Sequence, residues 1–321
     1  MKLYDIIIIG GGPIGLNCAL EAQKAGLSYL IIEKGTIVNS LYNYPLYMTF
    51  FSTADKLEIA EIPFITTAPK PGRRDALEYY QGITRQKSLN INLYEKVLKV
   101  SQDQNFLVET SKATYQAKKV IIATGFYDLP NLMNVKGEDL PKVNHYYSEP
   151  YPYAQQKVAV IGSSNSAIDA TLETYRKGAE VTMIIRHSEI SKSVKYWVKP
   201  DIENRIKEGS IAAYFNAEVI EITAHAIIFK DENQKIQTIE NDFVLAMTGY
   251  LPDFEFLKNA GIELIGDCLN PLYNEQTMET NVPGLYLAGV VCGGKDTHLW
   301  FIENSRIHAE IIVKHILASS N

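Results

Sequence analysis

The β-forming stretches of this chain are short apolar runs with almost no polar alternation. Ile6 to Ile9, Tyr29 to Ile32, Val120 to Ile122, Val158 to Ile161, Val181 to Ile185 and Phe243 to Leu245 all read this way. Runs of that kind suit strands covered on both faces, as in a parallel sheet between helices. After the first run, Ile14, Cys18 and Ala22 fall on one helical stripe, and Leu16, Ala19 and Leu20 widen it. Pro13 suits the first helical turn and Gly26 the stop, so Met1 to Glu33 reads strand, turn, helix, strand. A second such unit begins at Lys157, with a helix starting near Asn165 and stopping at Gly178. Residues 75–88 read as helix and Asn105 to Thr110 as strand, while Thr36 to Pro71 is aromatic, turn-rich and irregular. Trp300 to Ile316 reads as one helix capped by Asp296 or Thr297. Thr124-Gly125 and Thr248-Gly249 close a strand on either side of the second unit. The expected architecture is therefore α/β, with two Rossmann-like, three-layer nucleotide-binding domains. Residues 126–248 form a domain inserted into one made of 1–125 and 249–321.

Each strand–helix junction is a glycine turn. Gly10, Gly12 and Gly15 give G-x-G-x-x-G, which lets backbone approach a pyrophosphate at a helix N-terminus. Glu33 ends the next strand, where a carboxylate accepts from an adenosine ribose diol and repels a 2′-phosphate. This site is expected to take FAD or NAD and to refuse NADP. The bland alternative is a glycine turn in a ligand-free α/β fold. Gly162, Ser164 and Ala167 give G-x-S-x-x-A, and the following strand ends on Arg186 with His187 beside it. A cation there pairs with a 2′-phosphate, which points to NADPH; the alternative is a solvated strand-end arginine. Ser163 and Asn165 are candidate pyrophosphate donors, though Asn165 equally suits a helix cap.

Charge and cysteine content narrow the classes. A net charge of -6 argues against nucleic acid or an anionic membrane as the main partner. Ile6 to Ile9 is too short for the core of a signal peptide, and no apolar stretch reaches membrane-spanning length. The three cysteines, Cys18, Cys268 and Cys292, form no C-x-x-C pair, so no zinc ribbon or disulfide framework is expected and a cytoplasmic setting fits.

These motifs, with Thr280-Asn281-Val282-Pro283-Gly284-Leu285-Tyr286-Leu287-Ala288-Gly289 in the tail, resemble the low-molecular-weight thioredoxin reductase-like flavoproteins over nearly the whole chain. Within that group the chain resembles the bacillithiol disulfide reductases. The stretches that carry this include Ile31 to Gly35, Tyr42 to Pro45, Thr49 to Ser52, Asp55 to Leu57, Asn165 to Ala170 and Phe301 to Asn304. The resemblance implies FAD at Gly10, Gly12, Gly15, Glu33 and Gly289; Pro13, Lys34, Tyr42, Thr124, Gly125 and Asp296 are further candidate contacts. It implies NADPH at Gly162, Ala167 and Arg186; Ser164, Asn165, Ser166 and His187 are further candidate contacts. No metal is implied. The partner it implies is a small-molecule disulfide or a small redox protein, and a homo-oligomer, a dimer, is expected.

Three positions depart from the pattern. Thioredoxin reductases of this size carry a C-x-x-C in the inserted domain, and this chain has none. They carry an aspartate after the tail glycine, where Val290 stands here. Bacillithiol disulfide reductases read G-G-G-P-C-G in the first turn, and Ile14 occupies the cysteine position. Isoleucine cannot form a mixed disulfide. Cys292, three residues past the tail motif, is the candidate redox thiol, and Cys18 reads as a small core hydrophobe. The expected activity is transfer from NADPH through FAD to a low-molecular-weight disulfide. A thiol-independent NADPH:ferredoxin or flavodoxin reductase is the alternative, and a flavin monooxygenase or a redox sensor the next.

Overall fold

The computed structural model describes residues 2–319. Its chain forms two compact units. One holds the residues up to Tyr42, Thr49–Leu129 and the chain from Tyr250 on; the other holds Asn43–Met48 and Pro130–Gly249.

In the first unit, strands Ile91–Asn92, Tyr29–Ile32, Leu3–Ile9 and Thr114–Ile122 lie side by side and parallel. Their central residues, among them Ile6, Ile7, Ile8, Ile31, Val120 and Ile121, are fully buried, which is why the runs lack alternation. On its edge away from Leu3–Ile9, Thr114–Ile122 serves two further partners. Its first half pairs antiparallel with Phe106–Thr110, which pairs with Val97–Gln102. Its second half pairs in parallel with Leu285–Leu287, which returns the tail to the sheet. The helix Pro13–Lys24 buries Ile14, Leu16, Cys18, Ala19 and Ala22, matching the apolar stripe of the sequence. It packs against the C-terminal helix Ile307–Ala318, and Asn17 Nδ2 donates to Arg306 O at 2.8 Å. A further helix spans Arg73–Gln86, and between Thr36 and Pro71 only two helical turns form, Asn39–Tyr42 and Ala54–Leu57.

The second unit has a five-stranded parallel sheet ordered Ala212–Tyr214, Glu180–Ile184, Lys157–Ile161, Phe243–Ala246, Val143–Asn144. Period-two geometry splits its central strand between two cores. Val158 and Val160 pack with Ala167 and Ala170 of the helix Asn165–Arg176. Ala159 and Ile161 pack with Ile222, Ile227 and Phe229 from an antiparallel sheet of Glu218–Ile222, Ala226–Lys230 and Ile236–Glu240. The three layers are helix, parallel sheet and antiparallel sheet.

Two expectations differ from the structure. Asn43–Met48 sits with the second unit, where Leu46 N donates to Ser148 O at 2.8 Å. The C-terminal helix is two pieces, Ile302–Ser305 and Ile307–Ala318, and begins after Trp300.

Candidate cofactor-binding sites

The first glycine turn is shaped by its neighbours. Gly10 has φ +107°, and a Cβ there would lie 2.5 Å from Ala123 O, because Ala123-Thr124-Gly125 runs past it. A Cβ on Gly15 would lie 2.0 Å from Gly10 O, so this glycine lets the helix seat on the turn. At Gly12 nothing lies within 4 Å of an added Cβ. That is the open cradle a diphosphate needs, at the N-terminus of a helix whose first N–H groups have no intrahelical acceptor.

Glu33 is 5% exposed and follows the strand Tyr29–Ile32. Its Oε2 accepts from Gly11 N at 2.6 Å and its Oε1 from Gly35 N at 2.9 Å. Burial holds the carboxyl above its ordinary range; these two N–H groups and the Lys34 charge offset only part of that rise. Each oxygen keeps a lone pair for a ribose hydroxyl. The residues present thus fit the adenosine end of FAD. Lys34 itself pairs with Asp128 at 2.6 Å, and Thr124 and Gly125 are half-buried beside the turn. Tyr42 is 53% exposed, and its ring faces the Arg73 guanidinium.

The second turn repeats this build. Gly162 has φ +128°, a Cβ there would lie 2.5 Å from Met247 O, and Met247-Thr248-Gly249 is the passing strand end. The same Cβ would stand 3.2 Å from the Ala167 methyl, so glycine is needed at 162. Ser164 is the helix N-cap with extended backbone, Ser166 is exposed and Ala167 is buried. Arg186 and His187 lie just past Glu180–Ile184 and are exposed. Among the described residues no ion pair engages the Arg186 guanidinium, so it remains available to a phosphate. Asn165 differs from expectation. Its side chain neither caps the helix nor faces the turn, but bonds Ser193 O at 3.0 Å and Lys195 N at 2.9 Å.

The tail strand Leu285–Leu287 delivers Gly289 to the start of the first helix, and a Cβ on Gly289 would meet the Ile14 side chain at 3.3 Å. Gly289 N donates to Nδ1 of His308, a buried histidine that the sequence reading missed. Only its place on a mostly apolar helix face hinted at it. Desolvation lowers its pKa to about 4, so it is neutral with the proton on Nε2.

Two roles are corrected. Cys292 is buried, its Sγ lies 4.0 Å from His308 Nδ1, and burial pushes the thiol well above its ordinary value. Burial likewise pushes Cys18 up to about 12. Neither thiol is primed as a nucleophile, because each would have to ionise in apolar surroundings. Asp296 is exposed and caps no helix; its Oδ1 accepts from His298 N in a turn. Lys295 N and Nζ are tied to Cys268 O and Asp267 O, so the chain crosses that loop before entering a helix. The cap function falls to Asn304, which accepts from Phe301 N at 2.6 Å.

Known proteins share this arrangement. The family model for pyridine nucleotide-disulphide oxidoreductases matches residues 7–289. The chain belongs to that family. Among these oxidoreductases it is 47% identical to the bacilliredoxin reductase Bdr of Bacillus subtilis (strain 168), over 98% of both chains. The solved bacillithiol disulfide reductase Bdr (YpdA) from Bacillus cereus has 45% identity and a TM-score of 0.97, covering 99% of this chain and 100% of its own. A ferredoxin–NADP reductase of Streptococcus gordonii is 29% identical over 91% of this chain and 87% of its own. The protein is an FAD-dependent NAD(P)H oxidoreductase of thioredoxin reductase-like fold, and FAD and NADPH are its cofactors. No helix among the described residues is long and apolar enough to cross a membrane.

Proposed function

We propose that this oxidoreductase uses one NADPH and one proton to reduce a low-molecular-weight disulfide of the bacillithiol type to two thiols. The observation that carries the reading is the pair of like-built glycine turns with opposite charge beside them, buried Glu33 and exposed Arg186, in a chain full-length similar to the Bdr reductases. FAD, when bound, supplies the two-electron relay between nicotinamide and acceptor. Gly10, Gly12 and Gly15 admit its diphosphate, Glu33 orients its ribose and Gly289 lines it. Gly162, Ser164, Ser166 and Ala167 receive the NADPH pyrophosphate, while Arg186 and His187 hold its 2′-phosphate. Cytoplasmic operation and self-association belong to the same reading.

Ile14 favours one competing reading. With no thiol at that position and with Cys18 and Cys292 buried, a one-electron protein acceptor such as a ferredoxin needs no protein sulfur. Anaerobic NADPH oxidation by the purified yellow protein decides between them. Turnover with bacillithiol disulfide, and none with ferredoxin, is expected. Turnover with ferredoxin alone would replace the disulfide reading by the carrier reading.

A further inference from the structure

The loop that follows Glu180–Ile184 carries Arg186 and His187 and is tied to the glycine turn on both sides. Before the loop, Gly162 N donates to Ile184 O at 3.1 Å; within it, Ser191 N donates to Ser163 O at 3.1 Å. Asn216 N donates to His187 O at 3.0 Å and Ala217 N to Ile185 O at 2.9 Å, which hold its first residues to the sheet edge. Ile190 and Val194 sink into an apolar cluster with Ile168, Leu172, Met183 and Ile202. Asn165 grips Ser193 O and Lys195 N, and one turn further along the same helix face Asp169 takes the Lys195 ammonium at 2.6 Å. The Lys195 and Asp169 side chains are 9% and 19% exposed. Glu173, the next residue on that face, accepts from Tyr147 OH at 2.6 Å and feels the charges of both Lys195 and Arg176, so Lys195 pairs with Asp169 and also offsets part of the Glu173 charge.

A 2′-phosphate is read by side chains on this loop, so its affinity depends on how well the loop is held before the ligand arrives. We propose that Lys195, seated on Asp169, is a positioning residue for selectivity toward 2′-phosphorylated dinucleotides, because it locks the loop that presents Arg186 and His187 beside the Gly162–Ala167 turn. Lys195 does not touch the nucleotide. The inference rests on the NADPH reading of the second turn.

The test is calorimetric titration of the FAD-loaded enzyme with adenosine 2′,5′-bisphosphate and, separately, with 5′-AMP. The wild type is expected to prefer the bisphosphate. Lys195→Met should weaken the bisphosphate about tenfold, the scale of one lost well-placed contact, and leave 5′-AMP unchanged. Lys195→Arg should restore most of the preference. In steady state the KM for NADPH should rise while that for NADH does not. Asp169→Asn, which keeps side-chain size, is the second variant should Lys195→Met fail to fold, and the same ratio is read from it. An unchanged ratio, or equal weakening of both probes, overturns the positioning role and leaves the NADPH reading standing. A wild type that does not distinguish the two probes removes both.

Discussion

Glu33 is a buried carboxylate partnered by backbone N–H groups, one for each oxygen. Glu33→Gln places an amide N–H against one of those donors and strands it. A buried unpaired donor costs about 1–3 kcal/mol. Glu33→Gln should therefore be purified largely without FAD, seen as loss of the flavin absorbance band, and its apoprotein should melt below the wild-type apoprotein. His308 sets a pH dependence of definite sign. Its folded pKa, about 4, lies below the ordinary 6.5. The native state thus binds fewer protons than the unfolded one in that window. Its contribution is full above pH 6.5 and is lost as pH falls towards about 4. His308→Asn keeps an acceptor for Gly289 N and removes the titration. Its melting temperature should fall less than the wild type's between those two pH values, as followed by circular dichroism. Glu33 was legible because its role depends on the end of one short strand. His308 was not, because its partner is a backbone N–H that the sequence places far away, and only folding brings the two together.

At the scale of elements, the second and third glycines of the first turn do different things, and their variants should separate. Gly15→Ala drives a methyl into Gly10 O, so the helix Pro13–Lys24 must lift from the turn. Overpacking of this kind costs about 1–3 kcal/mol. Gly12→Ala meets no protein atom and fills only the diphosphate cradle. Both variants should lose FAD, but in urea denaturation of the apoproteins only Gly15→Ala should show a lowered midpoint. Equal midpoints would mean that the turn relaxes around the methyl. The turns were legible because glycine spacing, helix stripe and strand run all act within about thirty residues. The C-terminal helix start was not. Asp296 and Thr297 are good capping residues by type. The loop 267–270 holds Lys295 instead, and Asn304 supplies the cap bond from inside the helix. Capping preference is a local term, and a long-range tie outweighed it.

For the whole molecule, the electron route must do without Cys18 or Cys292 as a primed thiol. The double variant Cys18→Ala with Cys292→Ser should keep the wild-type rate of NADPH oxidation with bacillithiol disulfide, measured as loss of absorbance at the nicotinamide band. A large fall in kcat with FAD content intact would return Cys292 to the redox role. Local sequence determined the two glycine turns, the acid and base at the ends of their second strands and the absence of a C-x-x-C pair. These features need only neighbours along the chain, so periodicity and residue type suffice to read them. Tertiary structure decided the rest. It buried Cys292, tied Asn165 to the 191–195 loop, seated Lys195 on Asp169 and brought Gly289 against Ile14 and His308. Each of these depends on desolvation or on a contact between distant segments, and both arise only once the sheets and helices have closed around one another.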